Sequence, residues 1–334
     1  MENKKSSGTK TLFISAEVTE TVLDWPSMID AIRCSYAVPH GNRTSFRAVA
    51  RDEGVWMRSL VSVPPNSAVM GAKIFGRSSG RGVSYLVPLF DRVTSELLAL
   101  IDGRHLTALR TAATSAVAVD LLAKPGALNL GVIGSGGEAR AHVKAIANVR
   151  SIDSIAVYSP TPQKREQFAA DLARELNVKC HAVSHAEQAV SNADLVVCAA
   201  RSHDERPVLD GNWLMQGTLL VSIGSTIPEQ RELDIRSIER CDLIVCDMLH
   251  EVADETGDFI EAKAQGLNFS SKLATLNDLV LGRLSERVRT SRMPMYKSVG
   301  AAIQDLTVAE LAWRRAVDAG LARELEMSLT LQQV

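Results

Sequence analysis

Several features whose presence would redirect the reading are missing from this chain. No uninterrupted apolar stretch approaches the ~20 residues needed to cross a bilayer, so no membrane-inserted protein is expected. Neither sign of charge dominates: 37 Lys and Arg stand against 39 Asp and Glu, for a formal net charge of -2. That balance leaves no electrostatic footprint for nucleic acid or an anionic membrane surface. Cysteine is scarce and odd in number, with Cys34, Cys180, Cys198, Cys241 and Cys246 scattered and no C-x-x-C pair among them. Reduced thiols are expected rather than a disulfide framework. The seven histidines form no metal-ligand spacing with a carboxylate or thiolate. His181 and His185 read as a polar surface near a helix start, and no metal is expected. The polar stretch Ser6-Ser7-Gly8-Thr9-Lys10 follows Lys4 and Lys5 where a secretory signal would need an apolar core, so the expected location is cytoplasmic. Repeats and low-complexity tracts are also absent.

What remains is a compact globular composition. With 334 residues, 46% hydrophobic and 23% charged, the chain exceeds one ordinary hydrophobic core and is expected to form two domains. From Leu128 onward, short apolar runs alternate with helical patterns: Leu130-Gly131-Val132-Ile133, Ile155-Ala156-Val157-Tyr158, Leu195-Val196-Val197-Cys198, Leu219-Leu220-Val221-Ser222-Ile223 and Leu243-Ile244-Val245-Cys246. Such alternation specifies a parallel sheet, and strands apolar on both faces are expected to be covered by helices on both sides. Cys198 and Cys246 sit within these runs as small buried hydrophobes.

Before Leu128 the texture changes. Strand-like fragments Val69-Met70-Gly71-Ala72-Lys73-Ile74 and Tyr85-Leu86-Val87-Pro88-Leu89-Phe90 flank a turn-rich stretch, 76–82. A buried helix is expected over 106–123, closed by Lys124-Pro125-Gly126. A last helix is expected over 298–322, packing back on the first domain. The expected architecture is therefore α/β: a Rossmann-type doubly wound sheet, residues 126–299, inserted into a mixed α/β domain made of residues 1–125 and 300–334.

Within that frame, Gly134-Ser135-Gly136-Gly137-Glu138-Ala139 follows a strand and opens a helix, which is the context the dinucleotide fingerprint requires. Gly134 would make the tight turn, Gly136 would let a pyrophosphate approach the backbone, and Ala139 would let helix and strand pack closely. The helix N-terminus would supply free N–H groups to the anion. The next strand ends Tyr158-Ser159-Pro160-Thr161-Pro162 without the acid that grips the ribose of NAD. The hydroxyls of Ser159 and Thr161, with Lys164 and Arg165, would instead suit a 2′-phosphate, so NADP is favoured over NAD. The alternative is that Lys164 and Arg165 are only the solvated first turn of a helix.

The segment Asp102-Gly103-Arg104-His105-Leu106-Thr107-Ala108-Leu109-Arg110-Thr111-Ala112-Ala113-Thr114-Ser115 resembles the ornithine cyclodeaminase and mu-crystallin family, as do Arg231-Glu232-Leu233-Asp234 and Tyr296-Lys297-Ser298-Val299-Gly300. The resemblance runs from about Arg43 to the last helix. It implies a homodimer, with the domain built from both chain ends carrying the substrate and the dimer contacts. It also implies that Arg43, Lys73 and Arg110 hold a substrate carboxylate, with Arg47 a rival for the place of Arg43. Ser84 would add a hydroxyl, Thr111 a contact to cofactor phosphate, and Ile223, Lys297 and Ser298 would lie beside the nicotinamide. For Arg110 the alternative is a structural ion pair, since a guanidinium in a buried Ala-rich helix needs an anion in either case.

One departure decides the expected reaction. After the strand ending Ile223-Gly224, cyclodeaminases of the family carry an aspartate and shortly afterwards a lysine, where this chain has Thr226 and Gln230. A threonine cannot serve as the general base of ring closure near neutral pH. The resemblance then implies an NAD(P)H-dependent reductase of a 2-imino acid, or the reverse amino-acid dehydrogenase, with Lys73, Arg110 and Thr226 at the reacting centre. Two alternatives stand beside it: an ornithine-type cyclodeaminase, in which Glu229 or Glu232 would supply the base, and a non-catalytic binder of NADP or another small ligand.

Overall fold

The computed structural model describes residues 10–41, 44–78, 80–200, 206–327 and 329. Arg43 lies outside them. Two compact units divide the chain, one of Met1–Arg110 with Ala301–Val334 and one of Thr111–Gly300.

The first unit is built on a seven-stranded sheet. Its strands are β1 (Leu12–Ile14), β2 (Ser45–Asp52), β3 (Val55–Ser62), β4 (Val69–Ser78), β5 (Val83–Asp91) and β6 (Leu97–Asp102), with the short strand Arg323–Glu324 at one edge. From β2 to β6 the strands form an antiparallel meander, and β1 joins β6 in parallel. The register gives the sheet two unlike faces, because side chains directly opposite one another share a side. Arg47, Leu60 and Lys73 form one cross-strand row, followed by Arg58 with Phe75 and Phe75 with Tyr85. The helix Ala302–Asp318 lies on this side. Gly71 faces it and is required by the strand beside it: a Cβ there would stand 2.2 Å from the Pro88 carbonyl oxygen, and only in ordinary contact, 3.4 Å, with Leu306 of the helix. The opposite face carries Phe46, Val55, Met57, Val61 and Leu86, all exposed.

Of the stretch 76–82, expected to be turn-rich, residues 76–78 belong to β4, while residues 80–82 lie in the connection between the strands. Gly76 pairs with Ser84, and a Cβ on it would press within 3.2 Å of the Trp56 carbonyl oxygen. This glycine serves close strand packing, and among the described residues the turn lies at 80–82.

In the second unit, β7 (Leu128–Ile133), β8 (Ile152–Tyr158), β9 (Lys179–Ala182), β10 (Leu195–Cys198), β11 (Leu219–Ser222), β12 (Leu243–Cys246), β13 (Leu273–Thr275) and β14 (Pro294–Lys297) make an eight-stranded sheet. Its order is β13-β12-β14-β11-β10-β7-β8-β9, parallel throughout. The chain runs outward through β8 and β9 and then returns to the other side of β7 to form β10. That reversal opens a crevice at the carboxyl ends of β7 and β10, the usual ligand position in such sheets.

Two boundaries differ from the sequence reading. The helix Arg104–Leu122 contains the division between units, because the Arg110 side chain bonds within the first while Ser115 bonds to His142 in the second. Pro125-Gly126 ends the helix without marking the division. The last helix begins at Ala302 rather than 298, since Asp247 captures the Ser298 hydroxyl and the Val299 and Gly300 N–H groups. Among the described residues no helix is long and apolar enough to cross a membrane, and no cluster of side chains could hold a metal.

Candidate active site

The glycine turn at the end of β7 is shaped for an anion. Gly134 has φ +118°, its N–H bonds the Tyr158 carbonyl at 2.8 Å, and a Cβ on it would lie 2.7 Å from the Ala199 carbonyl oxygen. Only glycine fits there. Around Gly136 and Gly137, by contrast, a Cβ would meet nothing within 4 Å. Space is left for a ligand, not filled by protein. Gly136 caps the helix Gly137–Ala147 without any side-chain hydrogen bond, so the first-turn N–H groups are offered outward. Ala139 is fully buried beneath them, and Glu138 stands in the first turn. The residues present fit a dinucleotide pyrophosphate.

Beyond β8, the Ser135 hydroxyl donates to Ser159 Oγ at 2.8 Å, and Arg165 donates to the Ser159 carbonyl at 2.9 Å. These bonds hold the turn and the end of β8 together. Thr161 caps the next helix, Pro162–Leu176, without using its hydroxyl. An open pocket of about 540 Å³ beside them is lined by Arg165, Glu166, His181 and Ser184 among others. Residues 158–163 contain no acid, although Glu166 shares the pocket with Arg165.

In the first unit, Lys73 and Arg110 converge as expected, and the sequence reading missed what they converge on. Lys73 Nζ and Arg110 Nε each donate to Asp305 Oδ1 at 2.8 Å, and Arg110 Nη1 donates to Gln304 Oε1 at 2.7 Å. Gln304 in turn donates to the Tyr36 hydroxyl at 3.2 Å. Lys73 and Arg110 are 1% and 5% exposed, and Asp305 is 0% exposed. Two cations thus share one oxygen of one buried carboxylate. Lys73 also lies 5.2 Å from the Phe75 ring centroid. Arg47 points to the same side of the sheet, in the cross-strand row of Lys73. Ser84 does not belong with them. It is exposed and pairs with Gly76, whose place in the strand puts Ser84 on the face opposite Lys73.

Lys297, expected beside the nicotinamide, turns its ammonium inward. It is 0% exposed and donates to Ser222 Oγ at 2.9 Å, with Asp258 Oδ2 at 3.4 Å. Ser222 donates to Glu232 Oε2 at 2.6 Å. Glu232 also accepts from the Ala200 and Gly224 N–H groups at 3.1 and 2.9 Å, so one carboxylate ties together the chain leaving β10 and the chain leaving β11. Burial pushes the Glu232 carboxyl up to about 7, against the pull of Lys297 and Ser222. Ile223 is buried beside this network, with its N–H on the Cys198 carbonyl. The Cys198 thiol is pushed well above its ordinary range by burial and by Glu232, which makes it an inert core residue.

Comparison with known proteins identifies the family. The family model for ornithine cyclodeaminase/mu-crystallin matches residues 72–320. The chain belongs to that family. It is 30% identical to a Δ1-pyrroline-2-carboxylate reductase of Bacillus cereus over 301 residues, 89% of each chain. It is also 30% identical to ketimine reductase mu-crystallin of Mus musculus over 227 residues, 68% of each. Among solved structures, Thermococcus litoralis Δ1-pyrroline-2-carboxylate reductase in complex with NADH and L-proline superposes with a TM-score of 0.87 at 26% identity, covering 94% of this chain and 100% of that one.

The place where cyclodeaminases of the family carry an aspartate holds a half-buried Thr226, whose N–H and hydroxyl reach Gln230 Oε1 at 3.2 and 3.4 Å. The two residues satisfy each other, and neither titrates. Glu229 is exposed, while Glu232 is fully committed to backbone and Ser222. Asp305, Gln304, Asp258 and Asp247 were all absent from the sequence reading. The one available signal was Gln304-Asp305 inside an otherwise apolar helical pattern, since a buried acid in such a stripe demands a cation.

Proposed function

We propose that this family member is an NAD(P)H-dependent reductase of 2-imino acids, acting on the C–N bond and competent in the reverse direction as an amino-acid dehydrogenase. The observation that carries this reading is the buried set Lys73, Arg110 and Asp305, in which two cations meet one anion. Two buried cations side by side suit a substrate carboxylate, and the planar guanidinium of Arg110 would orient it. Arg43 or Arg47 would add a further cation. Gly134, Ser135, Gly136, Gly137, Glu138 and Ala139 would hold the dinucleotide, with Thr111, Ile223 and Ser298 near its phosphate or nicotinamide end. Bound NAD(P)H supplies the hydride. The protein's own part is to bind and orient the imino acid and to exclude water. Such a reaction needs no titrating side chain at 226, which fits threonine there.

Curated and solved relatives bear on the finer points. The B. cereus and M. musculus proteins carry reductase names, and the T. litoralis structure holds NADH. For this chain NADP is favoured, supported by the missing acid in 158–163 and by Arg165 at the ribose end. A homodimer is supported by the exposed apolar face of Phe46, Val55, Met57, Val61 and Leu86, which a second copy could cover. The cysteines, all free among the described residues, suit a reducing, cytoplasmic setting.

The test is NADPH and NADH oxidation on mixing with a panel of cyclic and acyclic 2-imino acids, with ammonia release from ornithine followed in parallel. Oxidation with at least one imino acid, a lower Kd for NADPH than NADH, and no ammonia are expected. Proline and ammonia from ornithine, with imino acids inert, would establish the lyase instead.

A further inference from the structure

Asp305 has two carboxylate oxygens, and the protein uses one. Lys73 Nζ and Arg110 Nε both bond Oδ1, each at 2.8 Å. Oδ2 is buried and has no hydrogen-bond partner among the described residues. The asymmetry is costly, because an ionised oxygen removed from water without a donor loses more than any neutral group would. Four residues later Ala309 and three residues earlier Ala302 are small, so the helix itself brings no long side chain to this oxygen. Its neighbour Gln304 is engaged elsewhere, with Arg110 and Tyr36.

We propose that Asp305 Oδ2 is the receptor for the substrate nitrogen. The inference rests on the reading of Lys73 and Arg110 as the carboxylate clamp. An α-imino or α-amino acid carries its carboxylate and its protonated nitrogen on adjacent carbons. A site that offers two cations and one free anionic oxygen around a single side chain matches that zwitterion group for group. The same contact has a chemical consequence. A buried carboxylate facing the imine nitrogen favours its protonated form, and the iminium is the form that accepts hydride at carbon. In the reduction, the C=N π pair moves to nitrogen as hydride joins carbon. The nitrogen is left as a neutral amine still bonded to Oδ2, and it takes its final proton from solvent. Asp305 is therefore a substrate-binding group that sets the charge of the electrophile, and no proton leaves it.

The experiment compares L-proline with its ring-oxygen analogue, tetrahydrofuran-2-carboxylate, as inhibitors of imino-acid reduction, after turnover of an imino acid by the wild-type protein has been established. Absence of that turnover would count against the proposed function and is seen before this comparison begins. In the wild type, the amine is expected to inhibit at a concentration at least about tenfold lower than the oxygen analogue, the loss typical of one charged hydrogen bond. Equal inhibition overturns the proposal. In Asp305→Asn, the advantage of the amine over the oxygen analogue should shrink to within about twofold, whatever change is common to both. If both weaken equally, Asp305 only holds the clamp in place and the proposal fails. Should Asp305→Asn not fold, the wild-type pair alone decides.

Discussion

Two buried ionic clusters, one in each unit, use the same residue types to opposite ends. Around Asp305, two cations share one oxygen of one acid. Around Lys297, one cation faces two acids, Glu232 and Asp258, and those acids are saturated by backbone: Glu232 by the Ala200 and Gly224 N–H groups, Asp258 by those of Glu232 and Leu233. Saturation is what separates them. A cluster whose carboxylate oxygens are all taken, by main-chain N–H groups, the Ser222 hydroxyl and Lys297, stabilises loop geometry, while one left with a bare oxygen is incomplete until something binds.

Truncating Arg110 should break the comparison most sharply. Arg110→Ala removes one of the two cations and leaves Asp305 with Lys73 alone. A loss in kcat/KM on the order of a hundredfold or more is expected, while affinity for NADPH stays near wild type. Steady-state kinetics with a fluorescence titration of cofactor separates the two. Unchanged turnover would make Arg110 a structural ion pair.

The second cluster should respond in stability instead. Burial raises the Glu232 carboxyl from its ordinary 4.5 to about 7, so between those values the folded chain holds a proton that the unfolded chain has released. Stability therefore falls as pH rises through that window, by roughly 3 kcal/mol from this group. Glu232→Gln should abolish that component, read as the difference in pH dependence of denaturant unfolding between variant and wild type. Taking the difference matters because half-buried His40, whose pKa is lowered by desolvation, contributes with the opposite sign. An unchanged slope would show that another group titrates.

The smallest effect is expected at Thr226, which belongs to neither cluster. Thr226→Ala removes only a long hydroxyl contact to Gln230, and imino-acid reduction should stay within about threefold of wild type. The same measurement on Lys73→Ala should show a much larger loss. A collapse at Thr226 equal to that at Lys73 would place the threonine hydroxyl in the reaction.

Legibility from sequence followed the range of the interactions involved. The runs that became β7, β8, β10, β11 and β12 were readable because burial on both faces forces continuous apolar stretches, and the glycine turn was readable because the chain's own backbone makes the anion site. In the first unit, β2 was not readable: Arg47, Val49 and Arg51 face one way and Phe46, Ala48 and Ala50 the other, so polarity and burial do not alternate together. Leu97–Asp102 is short and ran on into the following helix pattern. Pro294–Lys297 gave no local sign that it would lie between β11 and β12, more than 40 residues from either partner.

By itself, the sequence determined the parallel sheet, the phosphate-binding turn and the need of Arg110 for an anion, since each depends on local periodicity, local backbone freedom or the cost of burying a charge. Only the tertiary structure decided which anion that is. Asp305 lies 195 positions from Arg110 and 232 from Lys73, and no short-range rule pairs residues across such a distance. It likewise decided that Ser84 faces away from Lys73 and that Lys297 turns inward. Strand register and the crossing of a helix over a sheet fix where a side chain points, and both are settled only when the whole core packs.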